Sequence, residues 1–463
     1  MHTELTKTYS SHRERENLLR IQQQEKLYDY YISDELKILK RLNDVLGITF
    51  DEDDVDEFQK EYVNITKKVI NQLAIVYKEP AQRTIIKSGK PDEKLTKYLS
   101  SILPANVNTL DKIAHRYSKL FNTSLTRVNF RNGKVVYDVL PSYLFDVITD
   151  DNDPYMLTQV SYDKYIKNED GDDELYTVFW TKDKHYMRQV LEVGDKYIYG
   201  DEVPIGNNGE MVNPYGVIPF AVMRMEMQGD FWGTGQCDLA NVNEQLNFLL
   251  TDLTNGGIIM QSWGTPFLAN TGLEEKNKKV RFGPKHPIAV KQTNSEFPPV
   301  FEYKNANPLI AEVRATIDWK IKMIALTKGL NPNSFLADAK AASGYSKIVD
   351  SLEQLEIRRD DIEPCRIYED ERFDITRAVV NYHAEFPENG LEKLPDDIYL
   401  AVDFADINIP QTTDEKIKEN EFKLKNGLMS IIDIMKEQNP DLTDEEIEAR
   451  LKKNLEVNSR LKG

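Results

Sequence analysis

The sequence predicts an α+β protein, largely helical, with an antiparallel β domain in its first half. Three observations lead to this prediction. Residues 13–77 place apolar side chains every three or four positions, the spacing of one face of a helix. Residues 127–227 instead alternate short β-rich runs with turn residues. Farther along the chain, two more stretches with helical periodicity bracket a proline-rich segment.

The amino-terminal region is expected to form several helices. Its first apolar stripe consists of Tyr28, Ile32, Leu36, Leu39, Leu42 and Leu46. An acidic patch at residues 51–56 interrupts the pattern, and a second helix is expected after it. The apolar positions of that second helix are Phe58, Val63, Ile65, Val69 and Leu73. Residues 95–121 show a further helical pattern.

The β domain is predicted mainly from its turns. Asn132-Gly133 lies between β-rich flanks, which is the strongest short-range signal for a hairpin. Residues 157–165 and 174–180 are expected to be strands joined by a polar turn. Further strands are expected at 185–193, 196–199 and 218–225, so the whole region should be mostly antiparallel.

Two apolar seams follow the β domain. The first seam is Leu239, Val242, Leu246, Leu249 and Leu253, with spacings of three and four residues. The second seam is Leu309, Val313, Ile317, Ile321 and Ile324. Each helix has room for about 20 residues, or ~30 Å. Two interpretations remain open: an ordinary helical hairpin within a core, or helices that pack against copies of themselves in a closed ring.

The remaining segments complete the α+β pattern. Residues 263–305, between the seams, are broken by prolines and should form a small β or loop module. Residues 346–384 are expected to form one long helix that Pro364 kinks. Residues 397–409 resemble a strand, because Leu400, Val402 and Phe404 alternate with other side chains. Residues 413–463 should be a charged helical tail with a capping box at Thr443.

Composition limits the possible functions. The 463 residues carry a net charge of −18, so the surface as a whole should repel nucleic acids and anionic membranes. No run of about 18 apolar residues occurs, and the amino terminus is not expected to be a signal peptide. A cytosolic chain, or one assembled there into something larger, is therefore expected. Cys237 and Cys365 are expected to be free thiols.

The motifs of enzymes are missing from the sequence. Gly233-Thr234-Gly235 lacks the third glycine of a dinucleotide loop, and no phosphate-binding loop occurs. The six histidines have no metal-ligand spacing. Acidic clusters at 51–54, 150–153 and 168–173 are typical of solvated turns, with weak cation sites as the alternative. We therefore expect no enzyme, no cofactor and no metal.

One basic segment stands out in this acidic chain. Residues 276–291 contain no acidic residue, and their cations are Lys276, Lys278, Lys279, Arg281, Lys285 and Lys291. They form either a solvated basic face or a contact with an acidic protein or a phosphate backbone. Residues 331–343 are expected to be a surface loop with one base, Lys340.

Three segments resemble the portal proteins of tailed bacteriophages, in particular those of siphoviruses that infect Gram-positive bacteria. The order and spacing of segments over most of the chain resemble these proteins too. The three segments are GDFWGTGQCDLANVNEQLNFLLTDL at 229–253, GLNPNSFLADAKAASGYSKIVDSLEQLEIRRDDIEP at 329–364 and NIPQTTDEKIKENEFKLKNGLMSIIDIM at 408–435. The likeness extends from about residue 13, although no single motif is diagnostic. Any extended carboxy-terminal barrel seen in some relatives is expected to be lacking.

The resemblance implies a portal fold with a mostly helical stem, wing and crown, an antiparallel β wing domain and a small α/β clip. The implied segments are an amino-terminal helical wing region at 1–126, a β-rich wing domain at 127–234, a first stem helix at 235–262, a clip at 263–306, a second stem helix at 307–328, a tunnel loop at 329–345, a long kinked wing helix and strand at 346–412 and a helical crown at 413–463. Twelve copies would form a ring at one capsid vertex of the virion, assembled in the host cytoplasm.

The resemblance also implies partners. Double-stranded DNA would pass through the ring, terminase and the head–tail adaptor would dock on the clip, and capsid and scaffold proteins would meet the wing. No membrane contact is implied. A ring of twelve such chains would carry a charge on the order of −200, which disfavours adhesion of DNA to its walls.

Candidate site residues follow from this likeness. The expected DNA contacts in and beside the tunnel loop are Asn333, Ser334, Lys340, Ser343, Lys328 and Lys347, with Lys340 preferred. Each phosphate contact should be single and salt-sensitive. The basic residues of 276–291 are the expected clip contacts, and the two seams are the expected subunit interface. The alternatives are another ring-forming virion connector, or an enzyme that acts on nucleic acid through its acidic clusters.

Overall fold

The computed structural model describes residues 15–168, 170–193, 196–205, 209–259, 265–269, 271–273, 290–292, 295–298, 300–304, 309–335, 344–405, 413–438 and 444–461. These residues combine helices with antiparallel sheets, which confirms the α+β class. The chain divides into two compact units. The first comprises Met1–Asp338 and Gln354–Asp406, and the second comprises Ala339–Glu353 and Ile407–Gly463.

Before residue 406, more of the described residues lie in helices than in strands. The helices are α1 (Arg15–Ile32), α2 (Glu35–Leu46), α3 (Glu52–Glu57), α4 (Ile65–Leu73), α5 (Glu93–Ile102), α6 (Val107–Phe121), α7 (Cys237–Asp252), α8 (Ile310–Thr327) and α9 (Gly344–His383). A π-helical segment, Leu253–Ile259, continues α7. Pro364 lies inside α9, which is assigned as one helix along its whole length.

The strands of the described residues form five antiparallel sheets. They are β1 (Gln82–Lys87), β2 (Lys90–Pro91), β3 (Thr123–Arg131), β4 (Lys134–Leu140), β5 (Phe145–Asp150), β6 (Asp153–Lys167), β7 (Asp173–Thr181), β8 (His185–Val193), β9 (Lys196–Pro204), β10 (Phe220–Arg224), β11 (Thr265–Ala269), β12 (Thr271–Leu273), β13 (Val290–Gln292), β14 (Val300–Lys304) and β15 (Ile398–Asp403). The sheet orders are β15-β1-β2, β10-β3-β4, β5-β6-β7-β8-β9, β11-β14 and β12-β13.

The predicted hairpin at Asn132-Gly133 is confirmed. The two residues have φ angles of 53° and 75°, as a two-residue turn of this type requires, and Arg131 pairs with Lys134 across it. The predicted β domain is nevertheless two sheets, because β10 pairs with β3 and the strands β5 to β9 form a separate meander.

The predicted strand at 397–409 is confirmed where it is described, as β15. Its partner is β1, a strand that the sequence pattern did not indicate. Leu400, Val402 and Phe404 are buried, as their alternation predicts. The end of the predicted strand, from residue 406, lies outside the described residues.

The first apolar stripe is wrong at Leu36, whose side chain is 82% exposed. Ser33 has a φ of 62°, and the Asp34 side chain accepts a hydrogen bond from the Lys37 amide at 3.2 Å, so a new helix begins there. The break resets the phase of the pattern. The buried residues of α2 are Ile38, Leu42 and Leu46, so Ile38 is buried although the predicted stripe did not include it.

The second predicted helix is wrong over its first part. Residues 59–64, named the arm here, belong to no helix or strand, and α4 begins only at Ile65. The reason is tertiary: side chains of α7 bind the backbone of the arm, as described below.

Among the described residues of the first unit are three large apolar cores and a smaller cluster of Leu42, Leu46 and Val55. One joins β1, β3, β4, β15 and α9, a second joins α1, α4, α6, α7 and α8, and a third lies between the β10 sheet and the meander. Gly235 lets the chain enter α7 directly over the end of α6. A Cβ at this position would lie 2.7 Å from the Leu120 carbonyl oxygen, so only glycine fits without a shift of backbone.

The second unit contains the helices α10 (Thr413–Lys425), α11 (Ile431–Gln438) and α12 (Asp444–Leu461). The predicted helical tail is confirmed in these segments, whereas the capping residue Thr443 lies outside the described residues. No helix in the described part of the chain is long and apolar enough to cross a membrane.

The small β or loop module predicted between the two seams contains β structure where it is described. Its strands are β11 to β14, and no helix occurs among the described residues between 265 and 304. The arrangement as stem, wing, clip and crown stays a prediction.

Candidate functional site

The helices α7 and α8 form an antiparallel hairpin that brackets the β module. Lys328 at the end of α8 bonds Asp238 at the start of α7, with 2.8 Å between Nζ and Oδ2. Midway, Lys320 Nζ donates to Gln245 Oε1 at 2.9 Å. Contacts nearer the end of α8 thus involve residues nearer the start of α7, as expected for antiparallel helices.

The two predicted seams face the inside of the chain itself. Leu239, Leu246 and Ile317 are buried in the second core, which includes α1, α4 and α6. Partly buried against the same core are Val242, Leu249, Leu253, Val313 and Ile321. Of the ten side chains in the two seams, Leu309 is the one that is mostly exposed. The seams are therefore the packing of an ordinary helical hairpin, the first of the two interpretations above, and a second copy is not needed to cover them.

A different apolar face of α8 is uncovered. Ala315, Trp319, Met323 and Leu326 lie at spacings of four, four and three residues, which places them on one side of the helix. Trp319 and Leu326 are each 57% exposed and Met323 is 39% exposed. We name these four residues the α8 stripe. The sequence indicates this face, because α8 has apolar residues at helical spacing on two sides. The structure is needed to tell which of the two sides the chain itself covers.

A row of polar side chains on α7 binds the arm. Asn243, Asn247, Thr251 and Asn255 recur every fourth residue, and the arm and the first residue of α4 use every second residue to meet them. We name this row the α7 ladder. Four residues of helix rise about 6.0 Å, and two residues of extended chain rise about 6.6 Å, so the two repeats stay in step.

Each rung of the α7 ladder satisfies backbone groups. Asn247 accepts from the Val63 amide at 2.9 Å, and Thr251 accepts from the Glu61 amide at 3.0 Å. Asn255 both accepts from the Gln59 amide at 3.0 Å and donates to the Gln59 carbonyl at 2.9 Å. This is why these residues are polar on a helix that is otherwise apolar toward the core.

The loop after α8 begins with a short 3-10 turn, Pro332–Phe335, that α4 anchors. Lys68 Nζ donates to the Ser334 carbonyl oxygen at 2.5 Å and lies 4.7 Å from the centre of the Phe335 ring. Gln72 Nε2 donates to the Ser334 hydroxyl at 3.4 Å. The first residues of the predicted tunnel loop are thus fixed to α4.

The predicted DNA contacts are only partly placed. The Ser334 carbonyl oxygen accepts from Lys68, and Lys328 Nζ bonds Asp238. The role of both residues as DNA contacts stays a prediction. Lys340 and Ser343 lie outside the described residues. Asn333 lies in the 3-10 turn and Lys347 lies in α9, and their side chains are not described.

The basic clip residues are likewise untested. Outside the described residues lie Lys276, Lys278, Lys279, Arg281 and Lys285. Lys291 lies in β13, of which only the backbone is described. Their contact with a partner stays a prediction.

A buried group of charges lies between β1, α6 and α9. Arg83 bonds Asp111 at 2.5 Å and Glu369 at 2.6 Å, and Arg372 bonds both carboxylates as well. Burial alone would raise the pKa of Glu369, but the two guanidinium groups outweigh it and lower the pKa to about 2. The two guanidinium groups and the two carboxylates offset one another in charge, so the group ties three elements together.

The acidic clusters fall in turns and at a helix start. Residues 51–54 begin α3, residues 150–153 join β5 to β6, and residues 168–173 join β6 to β7. Within the described residues, no three His, Cys, Asp or Glu side chains come together as a metal site.

Comparisons with known proteins do not assign the chain to a family. No protein-family model matches the chain, and no curated protein matches it. The chain is similar to a chain in the neck of an empty gene transfer agent (GTA) particle computed with C6 symmetry, at 11% identity and a TM-score of 0.37, covering 79% of this chain and 87% of that one. A chain from the virion of a native GTA particle is similar at 10% identity and a TM-score of 0.33, covering 78% and 85%. Both TM-scores are too low to define a shared fold.

Proposed function

We propose that the protein is the subunit of a phage portal ring, a channel at one capsid vertex through which DNA is packaged and ejected. The observation that carries the proposal is the α8 stripe, an uncovered apolar face on one of two long helices that bracket a β module. The likeness of segments 229–253 and 329–364 to portal proteins agrees with it.

The α8 stripe suits contact with a second copy. Burying a whole leucine, methionine or larger side chain stabilises by roughly 1.5–3 kcal/mol, and the three large members are about half exposed. Covering them would therefore contribute about 3 kcal/mol at each contact. Such a head-to-tail contact repeats around a closed ring, so every copy makes it twice.

The charge of the chain suits a conduit for DNA. A net charge of −18 keeps duplex DNA from adhering to the walls, which a motor that moves it requires. In this proposal Lys340 supplies a single phosphate contact from the tunnel loop, whose first turn Lys68 fixes. Terminase and the adaptor would bind the basic segment 276–291, and neither hydrolysis nor a cofactor is assigned to this chain.

Mass measurement by light scattering tests the subunit contact. We expect Trp319→Lys/Leu326→Lys to convert rings into single chains, because two charges would be buried in each contact. Leu36→Lys is the control, since it places a lysine on an exposed leucine of α2 that lies outside the α8 stripe. Circular dichroism should show that all three proteins are folded. Rings of unchanged mass in the double variant would contradict the proposal.

A deletion tests the role as a DNA conduit. Removing residues 336–341 takes out Lys340 and leaves Phe335, which packs against the second core. We expect rings of normal mass and a loss of DNA packaging or retention in assembled particles. Normal packaging would assign the protein instead to another ring-forming connector of the virion.

A further inference from the structure

A cleft of about 550 Å³ opens in the first unit between β10, the start of β6 and one face of α9. Such a volume is typical of binding sites. The residues that α9 contributes include Glu363, Ile367, Glu371 and Asp374, whose spacings of four, four and three place them on one side of the helix. The hairpin of α7 and α8 takes no part in it.

The edge of β10 forms one wall. In the order β10-β3-β4, only β3 pairs with β10, so its other edge faces the cleft. The Val128 amide donates to the Pro219 carbonyl and the Met225 amide to the Asn122 carbonyl, which sets the odd-numbered residues toward β3. Phe220, Val222 and Arg224 therefore turn their backbone groups outward, and all three line the cleft.

The contact of Glu371 with β10 indicates that the backbone at this edge can accept a neighbouring strand. Its Oε2 accepts a hydrogen bond from the Val222 amide at 2.9 Å, in the direction in which a neighbouring strand would supply a carbonyl oxygen. The carboxylate thus stands where the next strand of the sheet would bond. The alternate outward groups along β10 repeat at the spacing that an added strand needs.

The side chains of the cleft are apolar and uncovered. Met156, Met227 and Ile367 are 58%, 72% and 55% exposed at its mouth. Methionine side chains adapt to partners of different shape, which suits a surface that receives the side chains of another chain.

The charged residues of the cleft are mainly acidic. Four are acids, Glu226, Glu363, Glu371 and Asp374, and two are bases, Lys182 and Arg224. The Arg224 guanidinium is engaged, because it lies 4.7 Å from the centres of both the Tyr155 and Phe231 rings. Glu363 is paired with Arg366 at 3.1 Å and Asp374 with Arg377 at 3.0 Å, but both carboxylates are exposed, so these pairs are weak and a cation of the partner can compete for either carboxylate. The residues that line the cleft carry two more acids than bases, which favours a partner with lysine or arginine beside its apolar residues.

We propose that this cleft docks an extended segment of another protein, which adds as a strand to the open edge of β10 and carries alternating apolar and basic side chains. The backbone of the segment bonds the Val222 carbonyl and the Arg224 amide, while Glu371 keeps the Val222 amide. Its apolar residues contact the exposed Met156, Met227 and Ile367, and its cations meet Glu363 and Asp374. This docking does not depend on ring formation, since none of these residues belongs to α7 or α8.

Fluorescence anisotropy with two labelled peptides tests the docking. One peptide alternates lysine with valine, and the other alternates glutamate with valine. We expect the lysine peptide to bind with saturation and the glutamate peptide to bind at least about tenfold more weakly. Absence of saturable binding by the lysine peptide would overturn the proposal.

Charge reversal distinguishes the cleft from general attraction to an acidic protein. Glu363→Lys/Asp374→Lys alters two exposed acids of the cleft and should weaken binding about tenfold. Glu356→Lys/Asp360→Lys makes the same charge change at exposed positions of α9 outside the cleft and should leave affinity within about twofold. Equal weakening by both pairs would overturn the assignment to this cleft.

Hydrogen exchange tests the strand addition itself. We expect the lysine peptide to slow amide exchange at Arg224, because its outward amide would gain a backbone partner. Binding with unchanged exchange at this residue would overturn the added strand.

Discussion

Asn243 should be the most sensitive position of the α7 ladder. Its Oδ1 accepts from the Ile65 amide at 2.9 Å, the Thr66 amide at 3.2 Å and the Thr66 hydroxyl at 3.1 Å. Its Nδ2 donates to the Val63 carbonyl at 2.8 Å. Asn243→Ala removes all four bonds at a residue that has no contact with solvent.

The magnitude follows from the groups left behind. A buried donor or acceptor without a partner costs about 1–3 kcal/mol, and such costs do not add fully. We expect Asn243→Ala to lower the free energy of unfolding by about 3–5 kcal/mol. Asn255→Ala, at the less buried end of the ladder, should cost about 1 kcal/mol.

Urea unfolding followed by circular dichroism measures these differences. Asn241→Ala is the matched control, since Asn241 lies on the same helix with its side chain exposed. It should change the free energy of unfolding by less than about 0.5 kcal/mol. If Asn243→Ala costs no more than Asn241→Ala, the ladder does not hold the arm.

Three further outcomes are expected. Gly235→Ala should destabilise by about 2 kcal/mol, because its Cβ would lie 2.7 Å from the Leu120 carbonyl oxygen, whereas Gly200→Ala, with its nearest atom at 3.5 Å, should cost much less; thermal melts compare them. Burial raises the pKa of Glu371 from 4.5 to about 7, so its contribution to stability is present below pH 4.5 and is lost as the pH rises through 7. Relative to wild type, Glu371→Gln should therefore gain about 2 kcal/mol between pH 5 and pH 8 in urea unfolding, and an unchanged difference would refute this assignment. Lys68→Met should increase proteolytic cleavage after Phe335, because the 3-10 turn loses its anchor; unchanged cleavage would show that Lys68 does not hold it.

Local signals predicted the local structure well. The hairpin at Asn132-Gly133 follows from two residues that tolerate positive φ, and β15 follows from the alternation of Leu400, Val402 and Phe404. In both cases the chemistry that fixes the element lies within a few residues of it.

The failures have a tertiary origin. Residues 58–64 contain apolar residues at helical spacing, yet the α7 ladder binds the backbone of the arm and competes with helix formation. The pairing of β1 with β15 joins segments far apart in the sequence, and the residue pattern of neither segment indicates which strand it pairs with.

The burial of the two seams within the chain could not be predicted, for a related reason. Periodicity tells which residues share a face of a helix but not which neighbour covers that face. In α8 the seam with Ile317 is covered by the chain's own core, whereas the stripe with Trp319 is left open. Among the predicted loop residues, Lys328 was likewise paired by a residue of another helix, Asp238.

Electron microscopy of the purified chain tests most directly whether copies close through the α8 stripe. We expect closed rings with an open axial channel for the wild type, and single compact particles for Trp319→Lys/Leu326→Lys. Single particles for the wild type at every concentration, or intact rings for the double variant, would contradict a ring held together by this face of α8.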